Sequence, residues 1–141
     1  MANWTEEDVA RLQKRKTAPK PTSTQRMQAL GRLKTGQMNK TEERFAQHLE
    51  LERHTARVQW WKFEGVKLML AKNTSLTVDF AVLPDTGILT MIDVKGAKAL
   101  FTDDARAKMK IAADTYPFVF KVAYPQSKAE GGGWVIEEIV P

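Results

Sequence analysis

The sequence predicts an α/β domain in which a mixed central sheet is flanked by helices. Three observations lead there. Apolar residues Phe45, Ala46 and Leu49 recur at helical spacing behind a capping residue, Asn39. Ser75 to Leu83 alternates as a strand and runs through the turn Pro84-Asp85-Thr86-Gly87 into a second apolar run, Ile88 to Lys95, which is an antiparallel hairpin pattern. A helical stretch opening at Thr102 then separates that run from another, Phe118 to Tyr124. Strand–helix–strand in this form implies a right-handed parallel crossover. Helix, antiparallel strands, helix and strand together make a mixed sheet with helical cover.

Taken in order, Trp4-Thr5-Glu6-Glu7-Asp8-Val9 opens a short helix. Thr5 caps it, Asp8 reaches back, and Trp4 is placed to staple onto Val9. With few sizeable apolar residues, this helix cannot form a core alone. Residues 17–38, with Pro19, Pro21, Gly31 and Gly36 among Ser, Thr, Lys and Arg, read as a flexible basic linker. The domain proper is expected over 38–141, after a basic segment over 1–37. In its first helix Asn39 caps with Glu42 at the third helical position. At 100° per residue Glu42 falls within the apolar face and Glu43 on its flank. Glu42 therefore either only caps or points inward to something that takes a carboxylate. Val58 to Leu70 reads as one or two strands with a bend at Gly65. In the strand Ser75–Leu83, one face is Leu76, Val78, Phe80 and Val82. The other is Thr77, Asp79, Ala81 and Leu83, with Asp79 in a mid-strand position that disfavours Asp. The helix from Thr102 to about Thr115 packs a stripe of Ala105, Met109, Ala112 and Ala113. Gly131-Gly132-Gly133 leads into a last strand, Trp134 to Val140.

Charge is distributed unevenly. Of a formal net charge of +5, residues 1–40 hold nine Lys/Arg against three acids, and residues 41–141 hold thirteen against fourteen. A basic segment on a near-neutral domain suits a polyanion such as nucleic acid, although a solubilising tail has the same composition. The absence of cysteine excludes disulfides, thiolate metal sites and cysteine nucleophiles, and fits a reducing compartment. No apolar run reaches membrane-spanning length, and the polar, acidic start is unlike a signal peptide. A cytoplasmic protein without a membrane partner is expected.

Chemistry concentrates at Met91-Ile92-Asp93-Val94-Lys95-Gly96. Alternation places Asp93 and Lys95 on one face, opposite Ile92 and Val94. The hairpin brings Asp79 near Asp93 at the end away from the turn, and Glu42 arrives from the packed helix. Carboxylates from separate elements, without His or Cys clusters, suit a hard cation such as Mg²⁺, with Mn²⁺ able to substitute. Such an ion assists phosphodiester hydrolysis, and Lys95 would position water or stabilise developing charge. Lys98, Arg106, Lys108, Lys110, Arg32, Lys34 and Lys40 are available to hold phosphates.

The series Glu42 … Val78-Asp79-Phe80 … Ile92-Asp93-Val94-Lys95-Gly96 resembles the PD-(D/E)xK nuclease superfamily. Met38-Asn39-Lys40-Thr41-Glu42, Asp103-Asp104-Ala105-Arg106-Ala107-Lys108 and Tyr116-Pro117 are similar to a phage and prophage family of unassigned function, and to phage endonuclease-I type Holliday-junction resolvases. The resemblance covers about residues 38–140. It implies a restriction-endonuclease-like αβββαβ core, metal binding by Asp79, Asp93 and the Val94 carbonyl, and Lys95 assisting the attacking water. It also implies Glu42 at a second metal or orienting a ligand, branched DNA as substrate, and a homodimer in the host cytoplasm. Val78 stands where the family name has Pro, and Asp93 is shorter than the Glu many relatives carry. Other readings of the same residues are a non-catalytic DNA-binding or assembly protein on this fold and a nuclease of linear or nicked DNA. His48 and His54, six apart on a helix, read as surface or packing residues. Glu64 reads as an exposed strand end rather than a site acid, and of Trp60 and Trp61 one is expected in the core.

Overall fold

The computed structural model describes residues 5–8 and 36–141. The chain divides into two compact units, Met1–Lys34 and Thr35–Pro141. In the first, the Thr5 amide and hydroxyl donate to Asp8 Oδ2 at 3.2 and 2.8 Å, and the Asp8 amide donates back to Thr5 Oγ1 at 3.2 Å. This is the reciprocal cap expected of Thr5 and Asp8. The Trp4–Val9 staple, the linker over 17–35 and the phosphate-binding candidates Arg32 and Lys34 lie outside the described residues.

In the second unit the elements run α1 (Lys40–His54), β1 (Val58–Phe63), β2 (Lys67–Ala71), β3 (Thr74–Thr77), β4 (Phe80–Pro84), β5 (Thr90–Val94), α2 (Asp103–Thr115), β6 (Val119–Pro125) and β7 (Trp134–Ile139). Five strands form one sheet in the order β1-β4-β5-β6-β7, and β2 and β3 form a separate hairpin. β5 and β6 are parallel, and the other neighbours in the sheet are antiparallel. The sheet is thus mixed, with the parallel pair bracketing α2. Among the described residues no helix is long and apolar enough to cross a membrane.

Alternation along the strands distributes the core over two faces. Phe80, Val82, Ile92 and Val94 pack with Phe45 and Leu49 of α1. Ala81, Met91, Phe120 and Val122 pack with Met109 and Ala112 of α2. Phe80, fully buried, centres the first layer, with ring centroids 5.3 Å from Phe45, 5.8 Å from Trp61 and 5.3 Å from Phe63. Each helix begins at its expected cap. Asn39 Oδ1 accepts from the Glu42 amide at 2.8 Å, and the Thr102 hydroxyl accepts from Ala105 at 3.2 Å.

One expectation is corrected. Ser75–Leu83 is not a single strand: it breaks at Val78-Asp79 into β3 and β4. Leu76 and Val78 join the α2-side core, whereas Phe80 and Val82 face α1. Strict alternation hides this break because all four residues are apolar and both sheet faces are covered. Upstream, Lys72-Asn73 turns the chain, Asn73 taking a left-handed φ of 61° that Asn tolerates, so β2 and β3 pair with each other. The turn before β5 forms as expected, the Gly87 amide donating to the Pro84 carbonyl at 3.0 Å with φ 80° at Gly87. β5 itself is shorter than the expected 88–95.

Candidate metal centre

The break in the strand creates the site. β4 pairs with β5 as Phe80↔Ile92 and Val82↔Thr90, so the next rung would join Val78 to Val94. That rung is missing, and the Asp79 carboxylate fills it: Asp79 Oδ2 accepts from the Val94 amide at 2.8 Å. Asp79 is held against the end of β5 by a ladder position that its own backbone has vacated. Its neighbour across the gap is Asp93, the penultimate residue of β5. Lys95, one residue beyond the strand, lies with Nζ 3.0 Å from Asp93 Oδ2, and these side chains are 23% and 15% exposed. The Lys95 amide donates to the Ala123 carbonyl at 3.0 Å, which ties the backbone of this residue to β6.

Electrostatics follow from crowding acids where water is scarce. Burial, then the Asp93 charge, pushes the Asp79 carboxyl up to about 9, against a weaker opposing pull from the Val94 amide. The two carboxyls share a hydrogen bond, and at neutral pH Asp79 keeps its proton. Glu42 is also raised, chiefly by burial. Its cap hydrogen bond lowers it, the charges of Glu64 and Asp93 raise it, and that of Lys95 lowers it. Glu42, Asp79, Asp93 and Lys95, which come from three parts of the chain, therefore lie within reach of one another's charges. The Glu42 amide donates to the Asn39 cap, the Glu42 carboxylate accepts back from the Asn39 amide, and the side chain is half-buried.

A fifth group, Glu64, lies here as well. Its amide donates to the Asp79 carbonyl at 2.7 Å, its φ is 49°, and its carboxylate accepts from the Gly36 amide at 2.8 Å. Its charge acts on Glu42. Reading it as an exposed strand end is thereby corrected. The antiparallel β1–β4 pairing, with Phe63 opposite Phe80, puts Glu64 beside Asp79.

The basic residues fall into two kinds. Lys40, Lys98, Lys108 and Lys110 are exposed. Arg106 instead donates to Glu137 Oε1 at 2.8 Å and stacks over Phe101, 4.9 Å from the ring centroid. That pairing holds Glu137 below the usual carboxylate range, and burial raises the Tyr124 phenol beside it. Trp61 is half-buried, with Nε1 donating to Glu50 Oε1 at 2.7 Å, and Trp60 is exposed, so neither is fully core. His48 packs against Phe45 and lies 3.6 Å from Glu52, and His54 is exposed. Two clefts, of about 420 and 340 Å³, lie along α1 and are not lined by Glu42, Glu64, Asp79 or Asp93; the first is lined by Leu51 and Trp61 and the second by Leu49 and Ile92.

The donor set is entirely oxygen. Among the described residues no three His, Cys, Asp or Glu side chains close into a metal cage. What is present is a two-carboxylate corner, Asp79 and Asp93, with Glu42 and Glu64 at its margin. A carboxyl that keeps its proton at neutral pH, facing a second carboxylate across a gap, is a place where a hard cation would replace that proton. Searches of protein families, curated proteins and solved structures returned no match for this chain.

Proposed function

We propose that the chain is a Mg²⁺-dependent DNA endonuclease of the PD-(D/E)xK kind, with Mn²⁺ able to substitute, a restriction-endonuclease-like core, and branched DNA of the Holliday-junction class as substrate. The observation that carries this reading is the Asp79–Asp93 carboxyl pair with Lys95 seated on Asp93 at the strand break. The order helix, antiparallel strands, helix, strand and the mixed sheet support it. The residues fit the ion, since one or two carboxylates plus phosphate oxygens and water are what Mg²⁺ ordinarily takes. Asp79 and Asp93 would hold it, with the Val94 carbonyl as a further oxygen and Glu42 at a second ion or orienting a ligand. Bound there, the ion supplies Lewis-acid polarisation of a phosphoryl oxygen and acidifies a water.

The side chains divide the remaining work. Asp79, anchored by the Val94 amide, fixes the corner of the site in space. Asp93 is braced by Lys95, whose Nζ lies 3.0 Å from its Oδ2. Lys95 presents an ammonium where negative charge grows on the phosphorus oxygens, and it orients the attacking water. Lys40, Lys98, Lys108 and Lys110 would hold the phosphate backbone, with Arg106 joining them if it leaves Glu137. A junction offers two equivalent strands, which suits the homodimer that the resemblance implies.

The test is cleavage of a four-way junction by wild type and by Asp93→Ala. The variant is expected to lose Mg²⁺-dependent cleavage and retain DNA binding. Undiminished cleavage would overturn the assignment, and binding without any metal-dependent cleavage by wild type would make this a non-catalytic DNA-binding protein on the same fold. Parallel assays with linear and nicked duplexes distinguish a nuclease without junction preference.

A further inference from the structure

The hairpin β2–β3 has no place in the sheet, and its composition is unlike that of the rest of the unit. Between Glu64 and Asp79 it carries Lys67 and Lys72 and no acid. Its alternation is one-sided. Leu68 and Val78 are buried in the α2-side core, with Val66, Leu70 and Leu76 packed against it. The opposite face is Lys67 paired with Thr77, Met69 paired with Ser75, and Ala71 paired with Thr74, followed by the tip Lys72-Asn73. Of these, Lys67, Met69, Ala71, Lys72, Asn73, Thr74 and Thr77 are exposed. Neither lysine takes part in an ion pair among the described residues. The face thus offers two free ammonium groups, three hydroxyls and a carboxamide, with no carboxylate to repel an anion. Those are the side chains that contact phosphate and sugar in duplex DNA.

The hairpin is also held firmly. The Tyr116 hydroxyl donates to the Met69 carbonyl at 2.6 Å, which pins β2 to the end of α2. At the other end, the Glu64 amide closes the base onto the Asp79 carbonyl at 2.7 Å. The base of the hairpin is therefore the acidic corner itself. Lys67 opens β2 and Lys72 lies at the hairpin tip, so the two ammonium groups stand at opposite ends of the strand.

We infer that the outward face of β2–β3 is a DNA-backbone contact surface that lays the duplex against the Asp79–Asp93 corner. It rests on the nucleic-acid reading above but not on cleavage. Neither lysine was among the phosphate-holding residues expected from the sequence.

The test measures binding of the full chain to a 30-base-pair duplex by fluorescence anisotropy in EDTA, over a range of salt concentrations. Lys67→Glu/Lys72→Glu is expected to weaken binding at least about tenfold and to flatten the slope of log K against log salt by about 2, since each neutralised phosphate contributes about 0.9. Arg57→Glu, just before β1 and at the end of that strand away from Glu64, serves as the charge control and is expected to leave the slope unchanged. Both variants alter exposed residues, and thermal unfolding verifies that each remains folded. An unchanged slope in the double variant, an equal loss in Arg57→Glu, or no duplex binding by wild type overturns the proposal. Because no divalent metal is present, these results stand apart from whether the chain cuts DNA.

Discussion

Asp79→Asn should make the metal-free protein more stable, and increasingly so as pH rises. The folded-state carboxyl titrates near 9, whereas a solvated one titrates near 3.8. Between those values the folded chain binds a proton that the unfolded chain has released. Stability is therefore fully present below the lower value and is lost as pH rises towards the upper. Asparagine keeps an oxygen acceptor for the Val94 amide and has nothing to ionise. At pH 7 about three pH units separate the unfolded carboxyl from its surroundings, and at about 1.4 kcal/mol per unit the ceiling is about 4 kcal/mol. A gain of about 2–4 kcal/mol is expected, or roughly 10 °C in melting temperature. The assay is thermal unfolding of both proteins in EDTA at pH 4, 5.5, 7 and 8.5. The two curves should converge at pH 4 and diverge upwards. Adding Mg²⁺ or Mn²⁺ should recover the wild type at pH 8.5 and leave Asp79→Asn where it was. A variant no more stable than wild type at pH 7–8.5, or a gap that does not grow with pH, would refute the reasoning.

Lys95→Ala should retain DNA binding and lose about 10²–10³ in metal-dependent cleavage rate, the ordinary cost of removing one group that stabilises developing charge; single-turnover kinetics on a junction measures it. Phe80→Ala empties the centre of the α1-side layer and should cost about 3–5 kcal/mol in urea unfolding.

The helices and their caps were legible in the sequence because capping is local. Asn39 with Glu42, and Thr102 with Ala105, involve residues three apart, and the chemistry is written in their side chains. The pair Asp79–Asp93 was legible for a different reason: a turn sequence sets the register, and register fixes who faces whom. The strand break escaped notice because period-two alternation reports burial on one face only. Once both faces are covered, a strand and a broken strand read alike across Leu76, Val78, Phe80 and Val82. Glu64 was missed with it, since its position depends on how β1 pairs with β4, a contact between residues far apart in sequence and without a turn signal to set it. Arg106 looked like an unattached cation because its partner, Glu137, lies on the last strand.

The Glu64–Asp79 hydrogen bond has a consequence for how such a chain can diverge. It fastens two points of the backbone across residues 65–78, so the spacing of the acids is set by that clasp and by the sheet rather than by the excursion between them. Lengthening a closed loop costs little, about 0.6 kcal/mol for each doubling. The hairpin can therefore gain, lose or exchange residues while the carboxyl corner stays in register. The hairpin and the carboxyl corner are thus parts of the fold that can change separately.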